Sequence, residues 1–473
     1  MPLTRRQVIV IAGTAAAALA GGGVYELVDR LAGGSGRAPA ATAARREQHL
    51  LDGLRMVQSN GVEVVVPPLH MQVVTLELAS GETRAGLRAA RGALEGAIAS
   101  VERRFSPTPA GVGVAVGWGL PYFHRVVPDL SKTHLPVDRR ASRAEGRDVR
   151  VLLDAERFPS DPHATILEQN DAVLLLRSDS LERIAEASRA LVNDLDLWRP
   201  TSIRRGFAGG GFEGGAGLPR QMAVAAGVPG AQLIPEGAEL FLGFTSTQKA
   251  GLGPGLIANL ESLGYADGGP AGYFTGGTTM HLSHIFEDLE AWYLSFDFDQ
   301  RVSTLFRPGK DEPPGTQTVR QSPDDVATVA DNRRDYHHHS AIGHSAAIQT
   351  ASRLPEDVRG ADGTLYRAGT AVPQRADANT LDNPFFWSAR PAEDRMASGA
   401  AAGVHFVVFH PTSDDFARTR RAMDGVFADG TRVPLEARDP GQGINSVLTT
   451  THRQNFLVPP RPHRALPLVD LLR

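Results

Sequence analysis

The chain has 473 residues, a formal net charge of −4 and no cysteine. The missing thiols exclude disulfides, iron–sulfur clusters and cysteine nucleophiles, and the charge balance with no long basic run argues against nucleic acid as a partner. The length suits one large or two fused domains with a substantial core.

The first elements read as an export leader. Thr4-Arg5-Arg6-Gln7 precedes an uncharged run from Val8 to Tyr25, giving a charged n-region and an apolar h-region. A twin arginine in this place addresses the twin-arginine (Tat) export machinery. The expected location is periplasmic or extracellular, with Arg37-Ala38-Pro39-Ala40-Ala41 as a cleavage region. The alternative is a membrane anchor formed by an uncleaved leader, since the run approaches the ~18 apolar residues a span needs. Residues 1–46 are therefore set aside as leader and linker.

Downstream, Val74, Leu76 and Leu78 alternate with Thr75 and Glu77, which predicts a half-buried strand over Gln72–Ala79. Leu87, Leu94, Ile98, Val101 and Phe105 recur at helical spacing, which predicts an amphipathic helix over Thr83–Arg104. Val112, Val114 and Val116 mark another strand, Ala172–Leu176 a fully apolar one, and Leu181, Ile184, Leu191 and Leu195 a helix after it. This succession is that of a ferredoxin-like half. The second half repeats it less clearly, with strands at Thr278–Phe286 and Gly403–Phe409 and helices at Asp299–Phe306 and Asp414–Met423. A glycine-rich stretch, Gly206–Gly217, separates the halves. A long Pro/Asp/His-rich region runs from Arg307 to Asn383, a length that in a compact protein marks function or disorder. The expected organisation is an N-terminal half over 47–205 and a C-terminal half with long loops over 206–473.

Several segments, taken in order, carry a resemblance. Gln58-Ser59-Asn60-Gly61-Val62 leads through Pro67-Pro68-Leu69-His70 into the first strand, and Val116-Gly117-Trp118-Gly119 ends the second. Arg205-Gly206-Phe207, Leu218-Pro219-Arg220-Gln221, Gly276-Gly277-Thr278 and Gly403–Phe409 follow. Their order and spacing over 58–460 resemble the dye-decolorising (DyP-type) haem peroxidases. The resemblance implies an α+β fold of two ferredoxin-like halves forming a dimeric α+β-barrel. It also implies haem b as cofactor, peroxide-dependent oxidation of small organic substrates, and assembly as a homo-oligomer.

The family signature is a Gly-x-x-Asp-Gly segment whose aspartate stands over the haem. Here Gly243-Phe244-Thr245-Ser246-Thr247 is the best match, with Ser246 at the aspartate position and Phe244 as a candidate cofactor contact. Heterolysis of peroxide needs a proton moved between oxygens and a positive group for the developing charge. Serine is no base near neutral pH, although Ser246 could hold a relaying water. Glu213, in the glycine-rich loop, is a substitute acid or a solvated carboxylate. By resemblance Arg367, in Leu365-Tyr366-Arg367-Ala368-Gly369, is the distal arginine; its other reading is a surface residue after the Asp362-Gly363 turn. By resemblance His344 is the proximal iron ligand, a role that suits a neutral imidazole. His337, His338 and His339 are a competing metal-binding triplet. His281 and His284, three apart on a strand, point to opposite faces and do not share a metal. The missing aspartate leaves a second function open, an exported haem- or ligand-binding protein without the peroxidase chemistry.

Overall fold

The computed structural model describes residues 17–19, 21–32, 45–59, 61–79, 83–245, 259–319, 327–435 and 440–473. Alternation of apolar side chains along the chain produces strands β1 (His70–Leu78), β2 (Gly113–Trp118), β3 (Ala172–Ser178) and β4 (Trp198–Phe207). They pair antiparallel in the order β4-β1-β3-β2, the ferredoxin-like arrangement. Helix α1 (Arg84–Arg104) starts at Thr83, whose hydroxyl accepts from the Gly86 N–H at 3.1 Å, and it buries Leu87, Leu94, Ile98 and Val101 against one sheet face. Helix α2 (Leu181–Ser188) covers the same face through Ile184 and Ala187.

The second half repeats the pattern with β5 (Thr278–Glu287), a short β6 (Ala378–Thr380), β7 (Gly403–His410) and β8 (Leu448–Val458), in the order β8-β5-β7-β6. Its helices are α3 (Phe298–Leu305), α4 (Val329–His339), α5 (His344–Ser352) and α6 (Ser413–Met423). Edge strands of the two halves then meet: β2 with β8 at Trp118 and Leu457, and β4 with β6 at Phe207 and Asn379. These contacts close the strands into a ring within an 11-stranded sheet. The two ferredoxin-like halves therefore form an α+β-barrel. Because side chains alternate, Met71, Val73, Ala115, Val173, Leu175, Met280, Leu282, Val407, Phe409, Phe456 and Val458 fill its interior, and the opposite faces receive the helices.

Two details depart from the sequence reading. Strand β4 runs through Phe207, across the expected boundary at 205/206. The segment 17–31, set aside as leader, buries Leu19, Tyr25 and Val28 against the body. Among the described residues no helix is long and apolar enough to cross a membrane; Val8–Ala16 lie outside them.

The β2–β8 seam is reinforced by one side chain. Gln48 is 1 % exposed; its amide donates to the carbonyls of Val116 at 3.0 Å and Pro459 at 2.7 Å, and its oxygen accepts from the Val116 N–H at 2.9 Å. Gln48→Ala strands these groups without water, at ~1–3 kcal/mol per unsatisfied group. Chemical denaturation is expected to show a loss of at least ~2 kcal/mol; an unchanged midpoint would contradict this account of the seam.

Candidate functional site

The outer face of the second sheet carries Ser283, Ile285 and Glu287 from β5, Val404, Phe406, Val408 and His410 from β7, and Arg453 from β8. Helices α3, α5 and α6 stand off from this face and leave a cavity of about 320 Å³, within the ~300–1,000 Å³ of small-molecule sites. The wall is mainly apolar and aromatic, with Phe207, Phe244, Phe306, Ile348, Phe416 and Met423 among its residues. Phe244, predicted as a cofactor contact, lies here, edge-on to Phe306 at 5.1 Å.

His344 opens α5 and lines the cavity. Its place depends on Gly343: a Cβ there would lie 2.2 Å from the Phe306 carbonyl, so only glycine lets the helix start abut the end of α3. The Ala346 N–H donates to that same carbonyl at 3.0 Å. Burial, with the nearby charges of Arg375 and Arg420, pushes the imidazole pKa down to about 4. His344 is therefore neutral at physiological pH, and its Nδ1 is buried with no hydrogen-bond partner in the protein. His410, on the same wall, is likewise held down at about 4, chiefly by burial, with both ring nitrogens unpartnered.

The cations differ in how they are balanced. Arg453 donates to Asp161 at 2.8 Å, and Arg420 pairs with Asp424 at 3.0 Å and Asp161 at 3.4 Å, so their charges are largely neutralised. Arg375 lines the same cavity, with its Nε buried and unpartnered. Glu287 is the counterpart among acids. Its carboxyl is buried, with Oε2 unpartnered, and burial raises its pKa to about 8, so it carries a proton at neutral pH. Glu239 also faces the cavity. The glycine-rich loop makes room for it, since a Cβ on Gly209 would lie 1.8 Å from the Glu239 carbonyl oxygen.

The structure does not bring Arg367 to this cavity. Its side chain is 72 % exposed and pairs with Asp357 at 2.6 Å, because it directly follows the short strand Leu365–Tyr366 on the surface. Arg375 is the arginine delivered to the wall, by the two-residue strand Gln374–Arg375 pairing with β7. Sequence reasoning missed it, although its position just ahead of β6 was a usable signal. Ser246 lies outside the described residues. Glu213 is on the surface, paired with Arg55 at 3.2 Å. His337, His338 and His339 are exposed at the end of α4, and no cluster of three or more His, Asp or Glu suited to a metal occurs among the described residues. His281 and His284 do occupy opposite faces. His281 bonds Asn455 at 2.7 Å and stacks on Phe416, while His284 faces the barrel interior, bonded to Thr451 at 2.7 Å.

Glu287 makes a pH prediction. It holds its proton more tightly when folded, at about 8, than its ordinary value of 4.5, so folding stability falls as pH rises through that window and is flat above it. Glu287→Gln removes this penalty. The variant is expected to melt higher than the parent, with a gap that widens from pH 5 to pH 8 to ~4 kcal/mol at most; parallel melting curves at all pH values would contradict it.

Comparison with known proteins places this geometry. No functionally curated protein matches the sequence. A DyP-type peroxidase from Cellulomonas bogoriensis superposes with a TM-score of 0.50 at 19 % identity, covering 88 % of this chain and 96 % of that one. A dye-decolorizing peroxidase from Bacteroides thetaiotaomicron VPI-5482 gives 0.47 at 13 % identity, covering 88 % and 98 %. At these identities the likeness concerns the fold, and the fold is that of the DyP-type peroxidases. The model of a family of unknown function, DUF7405, matches residues 68–460, and the chain belongs to that family.

Proposed function

We propose that the protein is a haem protein that uses peroxide to oxidise small organic substrates outside the cytoplasm, reached through the Tat machinery. The observation that carries this reading is His344, a buried, neutral imidazole on the wall of an apolar cavity. The residues present fit haem b: His344 would hold the iron, and Phe244, Phe306 and Ile348 would face the flat apolar ring. When bound, haem supplies oxidation chemistry that side chains cannot.

The chain's own residues would do the rest. Arg375, always charged, steadies negative charge on oxygen and takes the role that the resemblance gave to Arg367. Glu287 holds a proton at neutral pH and can donate it, whereas an ionised aspartate would accept one. The aromatic wall excludes water, which strengthens each of these electrostatic effects.

One observation favours a second reading, ligand binding without turnover. Iron-bound histidines ordinarily donate their other N–H to an acceptor that raises ligand basicity, and Nδ1 of His344 has none in the protein.

Purified with haem supplied, the protein is expected to show an intense Soret absorption that His344→Ala abolishes while leaving the fold intact by circular dichroism. With hydrogen peroxide and a dye, Arg375→Ala is expected to lower kcat by ~10²–10³-fold. A Soret band without dye oxidation selects the second reading. No band in either protein overturns both.

A further inference from the structure

We propose that the segment Ala18–Leu31 stays with the folded protein after export, as a strap that closes the β4–β6 seam. The inference rests on the leader reading of the N-terminus and is independent of haem. Leu19 and Val28 are fully buried and Tyr25 is 1 % exposed; Tyr25 and Val28 cluster with Phe207, Leu218, Met222, Phe241 and Leu381, and Leu19 joins the core of the first half.

The polar contacts are as specific as the apolar ones. The Tyr25 hydroxyl donates to Asp382 Oδ1 at 2.7 Å, accepts from the Leu381 N–H at 2.9 Å and lies 3.0 Å from the Thr380 hydroxyl. These partners sit at the end of β6 and just beyond it. From the β4 side, Arg205 donates to the carbonyls of Gly21 and Ala18, the latter at 2.8 Å, while its guanidinium lies over Phe386 at 4.0 Å. Asp29 bonds His70 at 2.7 Å, at the start of β1. The strap thus bonds residues on both sides of a seam where the backbone pairs over few residues, Phe207 with Asn379 and Ile203 and Ser202 with Trp387 and Ser388.

Removing the strap would leave the buried Arg205 guanidinium without two of its acceptors and Asp382 without its tyrosine. Buried polar groups rarely go unpaired, so a segment lost at cleavage would leave the mature protein flawed at this closure. Docking also excludes membrane anchoring by the same residues. With Ala18, Leu19 and Tyr25 seated in the body, only Val8–Ala17 of the uncharged run remains, about half the ~20 residues a span requires.

The test is a full-length chain with a protease site placed between residues 33 and 44, cut after folding and passed through gel filtration. The N-terminal fragment is expected to co-elute with the body and to leave only in denaturant. Tyr25→Ala, cut in the same way, is expected to shed it. A chain beginning at Glu47 is expected to melt at least ~5 °C lower; should it fail to fold, the cut full-length protein still decides. In cells, mass spectrometry of exported protein is expected to find Tyr25, on an intact chain or on a retained fragment. Free loss of the fragment with an unchanged Tm, or exported protein wholly lacking Tyr25, overturns the proposal.

Discussion

Closure of the barrel rests on two narrow seams. Within each half the strands pair over long registers, as β5 does with β7 from Phe286 to Thr279, but the halves meet over few residues: Trp118–Leu457 and Ile166–Leu167 against His452–Arg453 on one side, and Phe207–Asn379 and Ile203 and Ser202 against Trp387 and Ser388 on the other. An open edge exposes unpaired backbone groups and invites aggregation, so side chains complete what the ladders leave. Gln48 does so at the first seam. At the second, the Thr380 hydroxyl donates to the Arg205 carbonyl at 2.7 Å and the Asp382 carboxylate accepts from the Arg205 N–H at 2.7 Å. The C-terminal segment adds to the first closure, where Trp118 Nε1 donates to the Arg464 carbonyl at 2.8 Å.

The cavity follows from the same geometry. The barrel interior is packed solid, so a ligand site can form only where helices stand off from an outer face. On the first half α1 and α2 pack directly on the sheet through continuous apolar stripes. On the second half the corresponding face carries Glu287, His410 and Arg453 among its apolar residues, and such groups resist close packing by an apolar helix. The consequence is an apolar chamber with neutral imidazoles, a protonated carboxyl and Arg375. Buried polar groups in this state are costly to fold, which is why strained chemistry of this kind points to a site and not to a core.

Regular alternation made the first half readable. The Gln72–Ala79 strand and the Thr83–Arg104 helix were found at His70–Leu78 and Arg84–Arg104, because each packs one clean apolar face. Two strands escaped for a shared reason. Trp198–Phe207 carries Arg204 and Arg205, and Leu448–Val458 carries His452, Arg453 and Gln454, all buried. Their charges are satisfied by distant partners such as Glu168 and Asp161, so no hydrophobic period marks them. A register shift between Thr450 and His452 also breaks the phase of β8. Helices α4 and α5 hid in the long polar region because α4 buries only the polar Asn332 and Asp335, and α5 packs mainly through small residues, Ala346, Ala347 and Ala351.

The sequence by itself determined the α+β class and the two ferredoxin-like halves, because these depend on local periodicity, while His344 and Phe244 were singled out by the resemblance to DyP-type peroxidases. Tertiary structure alone decided which arginine reaches the cavity, Arg375 and not Arg367, since the two are eight positions apart in a region without period and only pairing with β7 distinguishes them. It alone decided that Glu287 is buried and protonated, and that part of an apparent leader is packed into the body. Burial and closure are properties of surfaces brought together from distant parts of the chain, and no local pattern encodes which surfaces meet.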